Sequence, residues 1–230
     1  MAARFVRRPN RFIVEAALGD GALVQAHLAD PGRLRELLVP GAALRLRPAA
    51  PAAGRRTAFT VVLVRATAAP RPWVSVLTTR ANTLARGLLE RGTIRGLGSG
   101  WSVRPEVRHG KSRFDFLLSR KGEERLVEVK SVSLVHPGGV GLFPDAPTTR
   151  GARHLAELSA HVRGGGLALV LFVAQRADAR SVQPHAALDP GFAAALADAR
   201  AAGVMVRAVG FALSGQGHAR YRGPLPVLEG

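Results

Sequence analysis

The sequence contains no cysteine, which excludes disulfide bonds and thiolate metal ligands. No apolar run approaches the roughly 18 residues of a membrane-spanning helix. The N-terminal segment Met1–Arg8 also lacks the apolar stretch of a secretory signal peptide. Together these absences predict a cytoplasmic protein that does not interact with a membrane.

Acidic residues and lysines are scarce as well. The chain has 33 Lys and Arg residues against 16 Asp and Glu residues, which gives a formal net charge of +17. Only three of the basic residues are lysines, Lys111, Lys121 and Lys130. A biased genome composition would explain the preference for Arg over Lys, but it would not explain the excess of bases over acids. The charge therefore indicates a polyanionic partner and favours nucleic acid.

Residues 1–81 predict a small β-barrel of the OB type, followed by a second domain at residues 82–230. Short β-branched segments alternate with turn signals, among them the hairpin sequence Leu18–Gly21. A small sandwich or an SH3-like barrel would give a similar pattern. The predicted strands are Arg11–Ala17, Ala22–Leu28, Ala43–Arg47, Thr57–Ala66 and Trp73–Thr78, with a short helix at Arg33–Leu38.

Residues 82–230 predict an α/β domain with helices on both sides of a sheet. Apolar residues recur at helical spacing in some segments and form alternating or continuous runs in others. The predicted order is α-β-β-β-α-β-α-β. The elements are Thr83–Arg91, Val103–Arg108, Arg113–Ser119, Arg125–Val135, Arg150–Arg163, Gly166–Ala174, Pro190–Ala202 and Val204–Leu213.

Two carboxylates are predicted to face each other across the second and third of these strands. If the hairpin turn centres on Lys121–Gly122, residue i pairs with residue 243 − i, and Asp115 lies opposite Glu128. Their β-carbons would then be roughly 5 Å apart. Carboxylates this close repel each other unless a cation lies between them. Mg²⁺ or Mn²⁺ would suit such a site, because these ions take oxygen ligands and keep bound water.

Lys130 lies two residues after Glu128 and shares its face of the strand. An ordinary solvated ion pair is the alternative, since Glu-x-Lys is common on polar strand faces. The rarity of Lys in this chain favours a chemical role that requires a compact ammonium group. Glu106 is a further candidate metal ligand through a bridging water. It faces Asp115 only if the intervening turn holds the four residues His109–Ser112.

Several basic residues are candidate contacts to nucleic-acid phosphates. Those in the barrel would line a groove that follows a phosphate backbone. Those at the start of the helix Arg150–Arg163 would be assisted by its free N–H groups, although the helix start could equally be bonded to the preceding loop. The candidates are Arg33, Arg55, Arg56, Arg113, Arg150, Arg153 and His154.

The order of these features resembles the PD-(D/E)xK nuclease fold, and a more specific resemblance is to the sugar fermentation stimulation protein A (SfsA) family. It spans nearly the whole chain, and the ordered set of motifs is more specific than any single motif. The matching segments are Ala26–Leu28, Asp30–Leu34, Ser112–Phe116, Val127–Ser131, Phe143–Thr148, Arg150–Gly151, Arg153–Leu155, Gln175–Asp178 and Asp189–Pro190.

The resemblance implies a DNA-binding protein linked to sugar-utilisation genes, with an OB-like N-terminal domain and a nuclease-like C-terminal domain. The implied chemistry is metal-assisted phosphodiester hydrolysis, in which Asp115 and Glu128 hold Mg²⁺ or Mn²⁺. Lys130 would act on the attacking water or on the phosphate. One departure is Thr149, where the family usually has Glu before the Arg. If that Glu serves the site, catalysis is impaired in this chain.

Two other functions stay open: a non-catalytic DNA-binding regulator on a nuclease-like scaffold, and an RNA-binding or assembly factor. The presence of Asp115, Glu128 and Lys130 favours the enzyme, because a protein that only binds gains nothing from two acids beside a phosphate. The strandedness of the DNA, the identity of the metal and the presence of a homodimer are not determined by these patterns.

Overall fold

The computed structural model describes residues 1–50, 54 and 57–229. Within these residues the chain forms three helices and fifteen strands, and it divides into two compact units. The first unit comprises Met1–Arg80, Gln175–Asp178 and Phe211–Tyr221, and the second comprises Ala81–Ala174, Ala179–Gly210 and Arg222–Gly230. None of the helices in the described part is long and apolar enough to cross a membrane. The domain boundary between residues 81 and 82 stays a prediction.

The first unit contains a closed OB-type barrel, which confirms the predicted fold class. Its strands are β1 (Ala2–Asn10), β2 (Ile13–Leu18), β3 (Leu23–His27), β4 (Ala43–Pro48) and β5 (Phe59–Arg65). The barrel closes because β2 pairs with β1 and β3, β4 pairs with β1 and β5, and β3 also pairs with β5. A short strand, β6 (Trp73–Ser75), pairs antiparallel with β5. Inward-facing side chains such as Val14, Leu44 and Val61 fill the core.

Two parts of the barrel differ from the prediction. β1 was missed because only Ala3 and Phe5 of this Arg-rich strand are buried, so its apolar alternation is short. The predicted helix at Arg33–Leu38 is a turn, in which the Leu37 N–H donates to the Leu34 carbonyl. Both leucines are fully buried in the barrel core. The spacing of the apolar residues therefore predicted the buried leucines correctly, but it predicted a helix where the chain forms a turn.

Within the described residues, the second unit contains neighbouring strands in the order β7-β8-β9-β12-β14, and β15 pairs with β14. The first three strands are antiparallel, and β9, β12 and β14 are parallel. A smaller sheet is formed by β10, β11 and β13. The elements that follow β6 along the chain are α1 (Thr78–Glu90), β7 (Ser102–His109), β8 (Ser112–Arg120), β9 (Glu123–Val132), β10 (Leu134–His136), β11 (Val140–Phe143), α2 (Thr149–Arg163), β12 (Leu167–Ala174), β13 (Ser181–Pro184), α3 (Pro190–Ala201), β14 (Met205–Leu213) and β15 (Ala219–Leu225), of which α1, β14 and β15 have residues in both units.

The strand predicted at Arg125–Val135 is in fact two strands. β9 ends at Val132, and Leu134–His136 forms β10 in the smaller sheet. β9 lies between β8 and β12, and both of its faces are buried. Glu128 and Lys130 therefore do not lie on a solvated strand face.

The starts of α2 and α3 are joined by one carboxylate. Thr148 caps α2 by accepting a hydrogen bond from the Gly151 N–H at 2.9 Å. Asp189 caps α3 by accepting from the Phe192 N–H, and its other oxygen accepts from the Thr148 N–H at 2.7 Å. This arrangement fixes the first turns of α2 next to α3.

Candidate active site

The β8–β9 hairpin has the register that the sequence predicts. Its pairs run from Phe116↔Val127 to Arg120↔Glu123, and each follows the relation i to 243 − i. The turn residues Lys121 and Gly122 both have positive φ, +49° and +84°, as a two-residue type I′ turn requires. Continued by one more pair, the same register places Asp115 opposite Glu128.

Asp115 is held by hydrogen bonds from two different elements. One carboxylate oxygen, Oδ2, accepts from the Val129 N–H of the neighbouring strand at 2.7 Å. The other, Oδ1, accepts from the Asn82 side-chain amide on α1, also at 2.7 Å. Asn82 was not predicted from the sequence, because nothing in its surroundings marks it as functional. The two bonds fix the orientation of the Asp115 carboxylate.

Glu128 lies at the centre of a buried group of charges. Its Oε1 accepts a hydrogen bond from Lys130 Nζ at 2.7 Å and lies 2.8 Å from His154 Nδ1 on α2. Glu128, Lys130 and His154 are only 5%, 9% and 2% exposed. Oε2 takes part in no hydrogen bond among residues 1–50, 54 and 57–229. Asp115, Glu128, Lys130 and His154 together are called the carboxylate cluster below.

The surroundings shift the pKa values of the two acids in opposite directions. Burial, followed by the charge of Glu128, raises the pKa of Asp115 above its usual range. Burial alone would raise the pKa of Glu128 too, but the His154 hydrogen bond and the Lys130 charge outweigh it and lower that pKa. Glu128 is thus compensated within the protein, whereas a further cation would stabilise the charge of Asp115.

The cluster fits a divalent cation that prefers oxygen ligands. The carboxylate of Asp115 is destabilised by its neighbour, and Glu128 Oε2 accepts no hydrogen bond within the described residues. In that part of the chain no group of three or more His, Asp or Glu residues is arranged to hold a metal. Water or substrate oxygens would therefore have to complete the coordination shell, as is usual for Mg²⁺.

Glu106 is not brought to the cluster. The β7–β8 register agrees with a turn spanning His109–Ser112, which would place Glu106 opposite Asp115. However, Glu106 has a positive φ of +54°, and the ladder skips this residue. Its side chain is 65% exposed and forms an ion pair with Arg113 at 3.0 Å. The backbone irregularity thus turns the side chain into solvent, and its role as a metal ligand stays a prediction without structural support.

The predicted phosphate contacts are found in different settings. Arg150 and Arg153 are exposed in the first turns of α2, and Arg113 is exposed beside Glu106. His154, by contrast, is buried in the carboxylate cluster and cannot lie on a phosphate-binding surface. Arg33 is exposed in the first unit, and Arg55 and Arg56 lie outside the described residues.

Comparisons with known proteins match both parts of the chain to one family. The family model described as the SfsA N-terminal OB domain matches residues 6–76. The model described as the sugar fermentation stimulation protein RE domain matches residues 79–217.

Similar proteins cover most of the chain. One is the sugar fermentation stimulation protein homolog of Moorella thermoacetica, 46% identical over 208 residues, or 90% of this chain and 87% of that protein. The homolog from Symbiobacterium thermophilum is 41% identical, over 99% of this chain and 94% of its own. A solved structure, Pyrococcus furiosus SfsA in complex with Ca²⁺, has a TM-score of 0.87 at 29% identity and covers 99% of this chain and 95% of that chain.

Proposed function

The chain belongs to the SfsA family, and from the carboxylate cluster we propose that it is a DNA-binding protein with a divalent-metal-dependent nuclease site. The observation that supports this proposal is a pair of carboxylates on adjacent strands, the half-buried Asp115 and the buried Glu128, with Lys130 two residues after Glu128. A protein that only bound DNA would gain nothing from acids near a phosphate, because they repel it.

The expected metal is Mg²⁺ or Mn²⁺. The Pyrococcus furiosus relative was solved in complex with Ca²⁺, which like Mg²⁺ prefers oxygen ligands. In this chain Asp115 and Glu128 would hold the ion. When bound, it would supply Lewis-acid polarisation of the scissile phosphate. This donor set, two carboxylates without sulfur or neutral histidine ligands, suits such hard cations.

The remaining residues of the site have distinct roles in this proposal. Lys130 would orient the attacking water or stabilise the negative charge that develops on the phosphate, since its Nζ already lies in the cluster. His154 and Asn82 are positioning residues, because each fixes one carboxylate by a hydrogen bond. The exposed Arg150 and Arg153 would contact phosphates on either side of the scissile bond.

A second candidate is a non-catalytic DNA-binding regulator on the same scaffold. It is favoured by the compensation of Glu128, which Lys130 and His154 already provide without a metal. Thr149, at the first position of α2, likewise supplies no carboxylate, although the resemblance to the family implies a Glu there. An RNA-binding or assembly role is the third possibility, and RNA therefore belongs among the substrates tested.

Cleavage assays separate these candidates. The protein would be incubated with single-stranded and double-stranded DNA and RNA, in the presence of Mg²⁺, Mn²⁺ or EDTA. We expect metal-dependent cleavage that Asp115→Asn and Glu128→Gln abolish while DNA affinity is kept. Lys130→Ala should also stop cleavage but leave metal binding intact. Glu124→Gln is the matched control, since it removes an exposed acid from the same hairpin.

Each outcome decides one part of the proposal. Wild-type protein that cleaves no substrate with any of these metals would overturn the catalytic assignment and favour the binding candidates. Cleavage by Asp115→Asn at the wild-type rate would show that the nuclease site lies elsewhere.

DNA binding itself is tested by its salt dependence. With a formal charge of +17, the chain should release counterions from several phosphates. Neutralising about six phosphates predicts a roughly thousandfold loss of affinity between about 50 and 200 mM salt. The variant Arg150→Gln/Arg153→Gln should reduce the slope of log affinity against log salt by about two. Affinity that does not change with salt would contradict the polyanion-binding function.

A further inference from the structure

A groove of about 980 Å³ lies along the start of β14 in the second unit. Its walls come from three segments: the loop after α1, the end of α3 with β14, and residues 224–227. Aliphatic side chains such as Val204, Val206 and Leu225 form part of the lining. None of its lining residues belongs to the carboxylate cluster.

Three arginines, Arg95, Arg200 and Arg207, line this groove together. In the described part of the chain, none of them lies within ion-pair distance of a carboxylate. Arginines elsewhere in the second unit, such as Arg86 and Arg163, do have acidic partners. The groove therefore concentrates positive charge that the protein does not neutralise.

Two of these guanidinium groups are held in place by backbone carbonyls. Arg207 donates through Nε to the Arg95 carbonyl and through Nη1 to the Val206 carbonyl, both at 2.9 Å. Arg200 donates through Nη2 to the Val227 carbonyl at 3.2 Å. Each guanidinium has five N–H donors, so several remain free for a ligand. Because their orientations are already fixed, less conformational entropy is lost when an anion binds.

The positive field extends beyond the groove. The pKa of Arg125 is lowered mainly by burial, and also by the charges of Arg120 and Arg207. Arg207 and Arg120 thus each repel Arg125, although the charge of Glu123 acts in the opposite direction. A bound anion would relieve this repulsion, which is a second reason to expect one near Arg207.

We propose that this groove binds a phosphorylated small molecule of about nucleotide size. Guanidinium groups bind phosphate oxygens in a bidentate manner, and three of them suit a diphosphate or a phosphate monoester. The volume lies within the range of small-molecule sites. The lining contains no aromatic residue, so the organic part of the ligand would be held by aliphatic contacts without ring stacking.

The proposal can be tested by calorimetric titration of the full chain with pyrophosphate and with ADP. EDTA in the buffer prevents binding through a metal at the carboxylate cluster. We expect both probes to bind the wild type, and Arg95→Gln to weaken binding roughly tenfold. Arg95→Gln/Arg200→Gln should weaken it roughly a hundredfold. The side chain of Arg95 is exposed, so the single variant should fold normally.

The matched control is Arg86→Gln/Arg163→Gln, which removes the same amount of charge from two ion-paired arginines. It should leave the affinity for both probes unchanged, and so should Asp115→Asn. Failure of the nuclease proposal would therefore not affect this result. No binding of either probe to the wild type would overturn the proposal, as would equal losses in the control variant. Displacement of pyrophosphate by a short DNA duplex, with the groove variant losing DNA affinity in parallel, would assign the groove to the DNA backbone instead.

Discussion

Positive charge has a carboxylate partner in the carboxylate cluster but none in the groove lined by Arg95, Arg200 and Arg207, called the arginine groove below. Both sites lie in the second unit, and this comparison of ion pairs covers the described residues. In the cluster, Lys130 is 9% exposed and its ammonium group lies 2.7 Å from Glu128. In the groove, Arg200 and Arg207 donate hydrogen bonds to backbone carbonyls, and within the described residues none of Arg95, Arg200 and Arg207 forms an ion pair with a carboxylate. Burial makes a counter-charge necessary, whereas a solvated groove allows charge to remain available for a ligand. The difference separates a cation that stabilises the fold, Lys130, from arginines that remain available to bind a ligand.

The two sites also use different cations. A buried Lys presents a compact charge that fits between two carboxylates, while Arg presents a planar group that matches phosphate. This chain has few lysines, and one of them is the buried Lys130. Charge removal should therefore be costly for stability in the cluster and nearly neutral in the groove.

The largest expected effect on stability is that of Lys130→Met. This change leaves Glu128 and Asp115 buried side by side with only His154 as a charge-compensating partner. Breaking a buried ion pair in this way typically costs about 3–5 kcal/mol. Urea denaturation should therefore show a much lower unfolding midpoint for this variant.

Two controls make the comparison quantitative. Lys111→Met removes an exposed Lys, and Arg95→Met removes an exposed Arg of the groove. Both should change the free energy of unfolding by less than about 0.5 kcal/mol. A loss of under 1 kcal/mol in Lys130→Met, or a similar loss in Arg95→Met, would remove the distinction between the two sites.

The centre of the cluster could be predicted from the sequence because its geometry is local. The turn at Lys121–Gly122 requires positive φ at both residues, which only a few residue types adopt easily. That turn fixes the hairpin register, and continuing the observed ladder by one pair places Asp115 opposite Glu128. Strand periodicity then puts Lys130 on the same face as Glu128.

The rest of the site depends on tertiary packing that local patterns do not encode. His154 and Asn82 reach the carboxylates because of how α2 and α1 are rotated against the sheet. The side chain of Glu106 is exposed because the backbone of Glu106 itself has a positive φ. The arginine groove joins Arg95, Arg200 and Arg207, which are far apart in sequence and lie in segments without a common motif. The fold class, in contrast, follows from strand and helix order, which is visible along the chain.

An intermediate effect is expected for His154→Ala. This variant removes the 2.8 Å contact to Glu128 and leaves a buried carboxylate with one fewer partner, which should cost about 1–3 kcal/mol. The pKa of Glu128 is lowered in the folded state, so its contribution to stability is present above its unfolded value of 4.5 and is lost as the pH falls through the folded value. The difference between wild type and variant should thus be largest near neutral pH and smaller in acid.

Unfolding midpoints measured from pH 7 to pH 3 check this dependence. His136→Ala, which removes an exposed histidine, should show a pH profile parallel to that of the wild type. A His154→Ala profile that is also parallel would mean that His154 does not act through Glu128.

The smallest expected effect is a gain in stability. Asp115→Asn removes a charge that burial and Glu128 both disfavour, and the Asn82 amide can rotate to keep its hydrogen bond. A gain of about 0.5–2 kcal/mol at pH 7 is typical when functional strain of this kind is removed. Because the folded pKa of Asp115 is raised, its penalty is present above that value and disappears below the unfolded value of 3.8. The gain should therefore shrink to zero as the pH falls towards 3.

Thermal unfolding should show that Mg²⁺ stabilises the wild type but not the variant, with Glu124→Gln as the control that keeps the metal response. A variant less stable than the wild type at pH 7 would show instead that Lys130 already compensates both acids, and the cluster would then need no metal.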